Sequence, residues 1–141
     1  MNQPRFDLPM PDAGTQPFWD GVADGRLLIK RCRDCSRAHF YPRRFCPYCW
    51  SEAVEWEQAS GVGTLYTWSV VHVNDLPPFN RRVPYVAAIV ELAEGPRLMT
   101  NILDCPLDAL RAGLEVEVAC RALDDTPPLP FFRPRDARAA A

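Results

Sequence analysis

Four cysteines fall in two pairs, spaced Cys32-x2-Cys35-x10-Cys46-x2-Cys49. This pattern limits the fold more than any other feature of the chain. Two intervening residues let both thiolates of a pair point at one ion, and two such pairs complete a closed tetrahedron. The expected ligands are Cys32, Cys35, Cys46 and Cys49, and the expected ion is a single structural Zn2+. Four thiolates also bind iron, which is the chemical alternative; a redox dithiol or two disulfides is another. A site with four protein ligands has no open coordination position. Its work is to fold a segment too small to fold alone, not to activate water.

The rest of the chain is arranged around that module. Residues 1–16 hold three prolines and little periodicity, which reads as an N-terminal arm. A short helix is predicted over 17–27, with Pro17 in its first turn and Gly25 at its C-terminal cap. The zinc ribbon is assigned to 28–60, opening on Leu27-Leu28-Ile29 and closing on the alternating run Val54-Glu55-Trp56-Glu57. A barrel is assigned to 61–125. Its strands are predicted at Thr64 to Val73, Tyr85 to Leu92, Arg97 to Leu103 and Leu114 to Leu123, with a helical turn at Leu107 to Leu110. Short strands with no long helices between them, in a chain of 141 residues, predict a mainly β fold. The expected order is N-terminal helix, four-cysteine zinc ribbon and small antiparallel OB-fold barrel. Residues 126–141 read as a Pro-rich tail. On the first barrel strand, simple alternation places Tyr66 and Trp68 on one face. With Phe131 and Phe132 of the tail, they are expected to be exposed rings at an interface.

Charge is uneven along the chain. Between Lys30 and Cys49 six basic residues meet one acid, a balance of +5, whereas Gly61 to Asp125 carries five arginines and nine acids, or -4. Zinc ribbons and OB folds bind nucleic acid in other proteins, so a nucleic-acid module is the alternative function. An acidic barrel has the wrong sign for that role. The N-terminal sequence has no apolar run of signal-peptide length, and no stretch approaches a membrane span, so the expectation is a cytoplasmic protein with no membrane partner. Cys105 and Cys120 sit in or beside apolar strands and read as buried free thiols. His39 is a spare metal donor that four cysteines make unnecessary. A pairing of His72 with Cys105 is the remaining route to a nucleophile, and the chain has no P-loop or GxGxxG.

Taken together, PFWDGVADGRL, CRDC, PRRFCPYC, EWEQASGVGTLYTWSVVH, PYVAAIVELAEGPRLMTNI and AGLEVEV resemble a known family over about residues 15–123. It is the family of rubredoxin-like zinc-ribbon plus OB-fold proteins long catalogued as a domain of unknown function and tied to acyl-CoA metabolism. The resemblance implies a non-catalytic accessory subunit of a thiolase-fold enzyme: a thiolase, an acyltransferase, a hydroxymethylglutaryl-CoA synthase assembly or a sterol side-chain aldolase. A hotdog-fold hydratase is the other implied partner. It further implies a hetero-oligomer, expected as two plus two, and a channel for coenzyme A or acyl-CoA shared with the partner. Arg33, Arg37, Arg43 and Arg44 are the expected contacts for coenzyme A phosphates, because a guanidinium fork suits phosphate. The plainer reading is that they offset the thiolates or stay solvated.

Overall fold

The computed structural model describes residues 7–124 and 126–136. One helix, α1 (Gln16–Ala23), precedes eight strands: β1 (Leu28–Cys32), β2 (Ala38–His39), β3 (Val54–Gln58), β4 (Val62–Val71), β5 (Tyr85–Leu92), β6 (Arg97–Ile102), β7 (Glu115–Arg121) and β8 (Leu129–Pro134). The helix has Pro in its first turn. It stops where Gly25 takes φ 79°. There the N–H groups of Gly25 and Arg26 return to the carbonyls of Val22 and Gly21. That is a Schellman stop, which glycine adopts without steric cost.

Strand β1 sits at the centre of a three-stranded antiparallel sheet, order β2-β1-β3. The second sheet closes on itself as a five-stranded barrel, order β4-β5-β6-β8-β7. Alternation explains the barrel wall: in β5, Val86, Ala88, Val90 and Leu92 are buried while the residues between them are half-exposed. One apolar cluster runs through both modules, joining Phe18, Val22, Leu27 and Ile29 to Leu65, Val90, Val116 and Phe132. A clamp reinforces the junction, with the backbone N–H and the hydroxyl of Ser60 both donating to the Glu94 carboxylate.

Two expectations are corrected here. The segment read as a tail from 126 onward contains β8, which pairs with β7 along its whole length and meets β6 in parallel at Ile102 and Phe132. Phe131 and Phe132 are therefore buried barrel residues, not exposed rings. Residues 137–141 of the expected tail and 1–6 of the expected arm lie outside the described residues. The second correction concerns β4. Its pairing with β5 slips between Leu65 and Thr67. Such a bulge re-aims the residues beyond it. Trp68 consequently packs against the core while Tyr66 remains exposed. The two rings do not share a face.

Candidate metal centre

The cysteine module is built from two similar turns. Each CxxC pair folds back so that the residue after it donates to the first cysteine's carbonyl: Ser36 N–H to Cys32 O at 3.0 Å, and Trp50 N–H to Cys46 O at 2.9 Å. Inside each turn a backbone N–H points at the first sulfur, Cys35 N to Cys32 Sγ at 3.5 Å and Tyr48 N to Cys46 Sγ at 3.4 Å. The turns face each other. Cys32 Sγ lies 3.6 Å from Cys49 Sγ and Cys35 Sγ lies 3.5 Å from Cys46 Sγ. All four sulfurs fall within 4.8 Å of one another.

These distances exclude formed disulfides and suit one tetrahedral ion. A disulfide needs S–S of about 2.05 Å, and all four cysteines are free. A tetrahedron with metal–sulfur bonds of about 2.3 Å has edges of about 3.8 Å, close to the observed separations. The four thiols therefore fit one structural Zn2+. Burial opposes ionisation of Cys46, but the N–H groups of Tyr48 and Cys49 and the neighbouring thiols bring it down to about 7.

The surroundings hold this frame. Arg31 forks onto Glu57 and donates to Ser36 O at 2.7 Å, tying β3 to the first turn. Arg33 pairs with Glu55. The Ser51 hydroxyl donates to Asp34, linking the second turn to the first. His39 is 2% exposed, and neither of its ring nitrogens has a partner among the described residues. It is not in the sulfur cluster. Burial, then the charges of Lys30 and Arg43, lower its pKa.

The four arginines expected to meet coenzyme A have different situations. Arg33 is engaged by Glu55, and Arg37 lies over the Tyr48 ring at 4.8 Å. Arg43 and Arg44 are exposed and make no hydrogen bond or ion pair among the described residues. The other candidates are quiet. Cys105 and Cys120 pack against the core, and burial raises both thiols. His72 is exposed just beyond β4.

What sequence reasoning missed is where the exposed rings concentrate. Tyr66 is half covered by Arg97, whose guanidinium lies 3.9 Å from the ring centre and is itself held by Glu91. Among the described residues the most exposed ring is Trp50, with Tyr41 and Tyr48 of the same module also exposed. The signal was the placement of Tyr48 and Trp50 inside and directly after a CxxC pair, where no core-facing strand exists to take them.

Comparison with known proteins covers both modules. Residues 19–55 match the family described as ChsH2, rubredoxin-like zinc ribbon domain, and residues 56–121 match ChsH2, C-terminal OB-fold domain. A DUF35 domain-containing scaffold protein of Methanocaldococcus jannaschii is 39% identical over 110 residues, covering 76% of this chain and 77% of the relative. A probable enoyl-CoA hydratase alpha subunit of Thermomonospora curvata is 36% identical over 118 residues, and this chain spans 83% of itself but 36% of that relative. Among solved structures, the Ltp2-ChsH2(DUF35) aldolase superposes with a TM-score of 0.77 at 33% identity, covering 89% of this chain and 98% of that one.

Proposed function

Because this chain belongs to the ChsH2 family of rubredoxin-like zinc ribbons joined to OB-fold domains, we propose that it is an accessory subunit of an acyl-CoA enzyme. Its partner is a thiolase-fold enzyme, and the two form a hetero-oligomer, two copies of each. The observation that carries this reading is the match across ribbon and barrel together with 98% of a chain from the Ltp2-ChsH2(DUF35) aldolase. The name of the longer hydratase relative belongs to that protein, of which this chain spans 36%.

The physical chemistry agrees with a scaffold role. A centre closed by four thiolates leaves no position for substrate. Cys32, Cys35, Cys46 and Cys49 would hold the ion, which supplies folding energy to the ribbon. Coenzyme A contacts fall first to Arg43 and Arg44, which are exposed and unpaired among the described residues, because Arg33 is held by Glu55 and Arg37, though without an ion pair, is packed on the Tyr48 ring. No helix among the described residues is long and apolar enough to cross a membrane.

Co-expression with the acyl-CoA enzymes encoded beside it, followed by affinity capture and size exclusion, tests the reading. One such enzyme is expected to co-elute and to gain activity in the complex. If every neighbouring enzyme elutes separately and is fully active without this chain, the reading is wrong. Charge reversal at Arg43 and Arg44 is expected to raise the Michaelis constant of the complex for acyl-CoA. An unchanged constant with unchanged zinc content removes the two arginines from that role.

A further inference from the structure

The two cysteine turns are near copies, and the position after each pair shows what differs between them. Ser36 and Trp50 both take the left-handed conformation, at φ 66° and 68°. Glycine suits that conformation, and a small polar residue tolerates it. A tryptophan there is a steric outlier. Nothing in the fold uses the indole in return: Trp50 is 75% exposed, and its one ring contact among the described residues is a parallel stack on Phe45, 5.3 Å between centres at 9°.

The rest of the second turn is equally outward-facing. Tyr48, between Cys46 and Cys49, is exposed and carries the Arg37 guanidinium against its ring at 4.8 Å. Arg31 and Arg33 are neutralised by Glu57 and Glu55, whereas Arg37 has no ion pair among the described residues. One end of the ribbon thus combines a stacked Trp–Phe pair, a Tyr–Arg pair and an uncompensated positive charge. The rings sit on or beside the second cysteine turn, and Arg37 reaches Tyr48 from just after the first.

We propose that this tip, formed by Phe45, Tyr48, Trp50 and Arg37, is a docking anchor that seats the Trp50 indole in an apolar recess with an acidic rim on the partner enzyme. The proposal rests on the accessory-subunit reading above. Trp, Tyr and Arg are the residues that dominate binding energy at protein interfaces. A braced turn loses little freedom on docking, so contact made through it is retained as affinity. The unpaired Arg37 calls for carboxylates on the facing surface and steers the approach. The barrel face around Tyr66, by contrast, is balanced by the Arg97–Glu91 pair and has no such complement.

The conformation of Trp50 makes the test unusually clean, because glycine is the better residue for the fold. Trp50→Gly in the full chain is expected to keep one zinc per chain and a melting temperature at or above that of the unsubstituted protein. Its affinity for the co-eluting acyl-CoA enzyme is expected to fall about tenfold or more. Trp50→Asn, also suited to a left-handed position, should behave alike. Arg37→Glu should weaken binding mainly at low salt. Unchanged affinity in Trp50→Gly and Trp50→Asn overturns the anchor and leaves the accessory-subunit reading intact. Loss of zinc or a lower melting temperature in both variants shows a structural role instead and also overturns it. Self-association of this chain that Trp50→Gly abolishes assigns the tip to a second copy, and quenching of Trp50 fluorescence by coenzyme A alone assigns it to the nucleotide. If the unsubstituted chain captures no acyl-CoA enzyme, the parent reading fails first and the anchor fails with it.

Discussion

Replacing Phe132 by alanine should remove a large part of the protein's stability. Phe132 is fully buried, and it forms with Ile102 the one ladder pair between β8 and β6 among the described residues. The neighbouring Leu103 N–H donates to Phe132 O at 2.8 Å, so the ring and the seam of the barrel share one residue. Burying a Phe removes about 150–250 Å² from water, which at about 25 cal/mol per Å² is an upper bound of roughly 4–6 kcal/mol. Measured Phe→Ala substitutions in cores cost about 3–5 kcal/mol, cavity included. The expected loss is therefore about 4 kcal/mol, out of a total of about 5–15 kcal/mol for a domain of ordinary stability. Urea unfolding of the zinc-loaded protein, followed by far-ultraviolet circular dichroism and by tryptophan emission, measures it. Trp68 packs against the same core and supplies a local signal. Phe132→Leu keeps most of the volume and should cost less than about 1.5 kcal/mol. A loss below about 1 kcal/mol for Phe132→Ala, with an unchanged urea slope, would refute the assignment of β8 as a structural barrel strand.

Cys46→Ser should abolish stoichiometric zinc, measured by metal analysis, and unfold the ribbon; a soluble, stably folded, metal-free variant would contradict the reading of the four cysteines. Burial, then Lys30 and Arg43, lower the pKa of His39 in the folded chain. The unfolded side chain protonates near about 6.5, so the stability it secures is complete above that pH and is lost as pH falls below it. His39→Leu should flatten that acid-side loss and stabilise by on the order of 1 kcal/mol at low pH, since both ring nitrogens are buried without partners among the described residues; parallel pH–stability curves for the two proteins would sink this. Single-stranded DNA and RNA should not bind specifically at physiological salt, as read by fluorescence anisotropy; a sub-micromolar affinity falling steeply with salt would favour a nucleic-acid module instead.

The cysteine module was readable because its constraint is covalent spacing, which survives any tertiary context. Strand β5 was readable for a different reason: Tyr85 to Leu92 is a short, almost wholly apolar run without a breaker, bounded by Pro84 and the Glu94-Gly95-Pro96 turn, and its predicted bounds coincide with the observed ones. Strand β8 was hidden by its prolines. Leu129-Pro130-Phe131-Phe132-Arg133-Pro134 follows Pro127-Pro128 and looks like a strand-breaking tail. It is tolerated as a strand because its β6 side is paired at one position only, and because the Pro130 carbonyl is used by the Thr100 hydroxyl at 2.9 Å. The inward turn of Trp68 was unreadable in principle. A bulge adds one residue to one strand, and alternation counted along the sequence passes through it unaware. For the arginines, the excess of charge was visible but not its disposal. Arg31 and Arg33 find Glu57 and Glu55 only because β3 returns beside β1.

The late position of β8 sets a schedule for synthesis. A chain emerging from the ribosome presents its four cysteines while most of the barrel is still unmade, so the metal can be captured before a second module exists to compete for the same apolar residues. The strands from Val62 to Ile102 then wait for their closing partner at Leu129–Pro134. At about 5–20 residues per second, that interval lasts roughly 2 to 6 s. During it, the edge at Ile102 and the hydrophobic lining behind it are open to any passing strand. A stop codon just before Leu129 would make that exposure permanent, and the product should be found in inclusion bodies rather than as a folded subunit that has merely lost its partner.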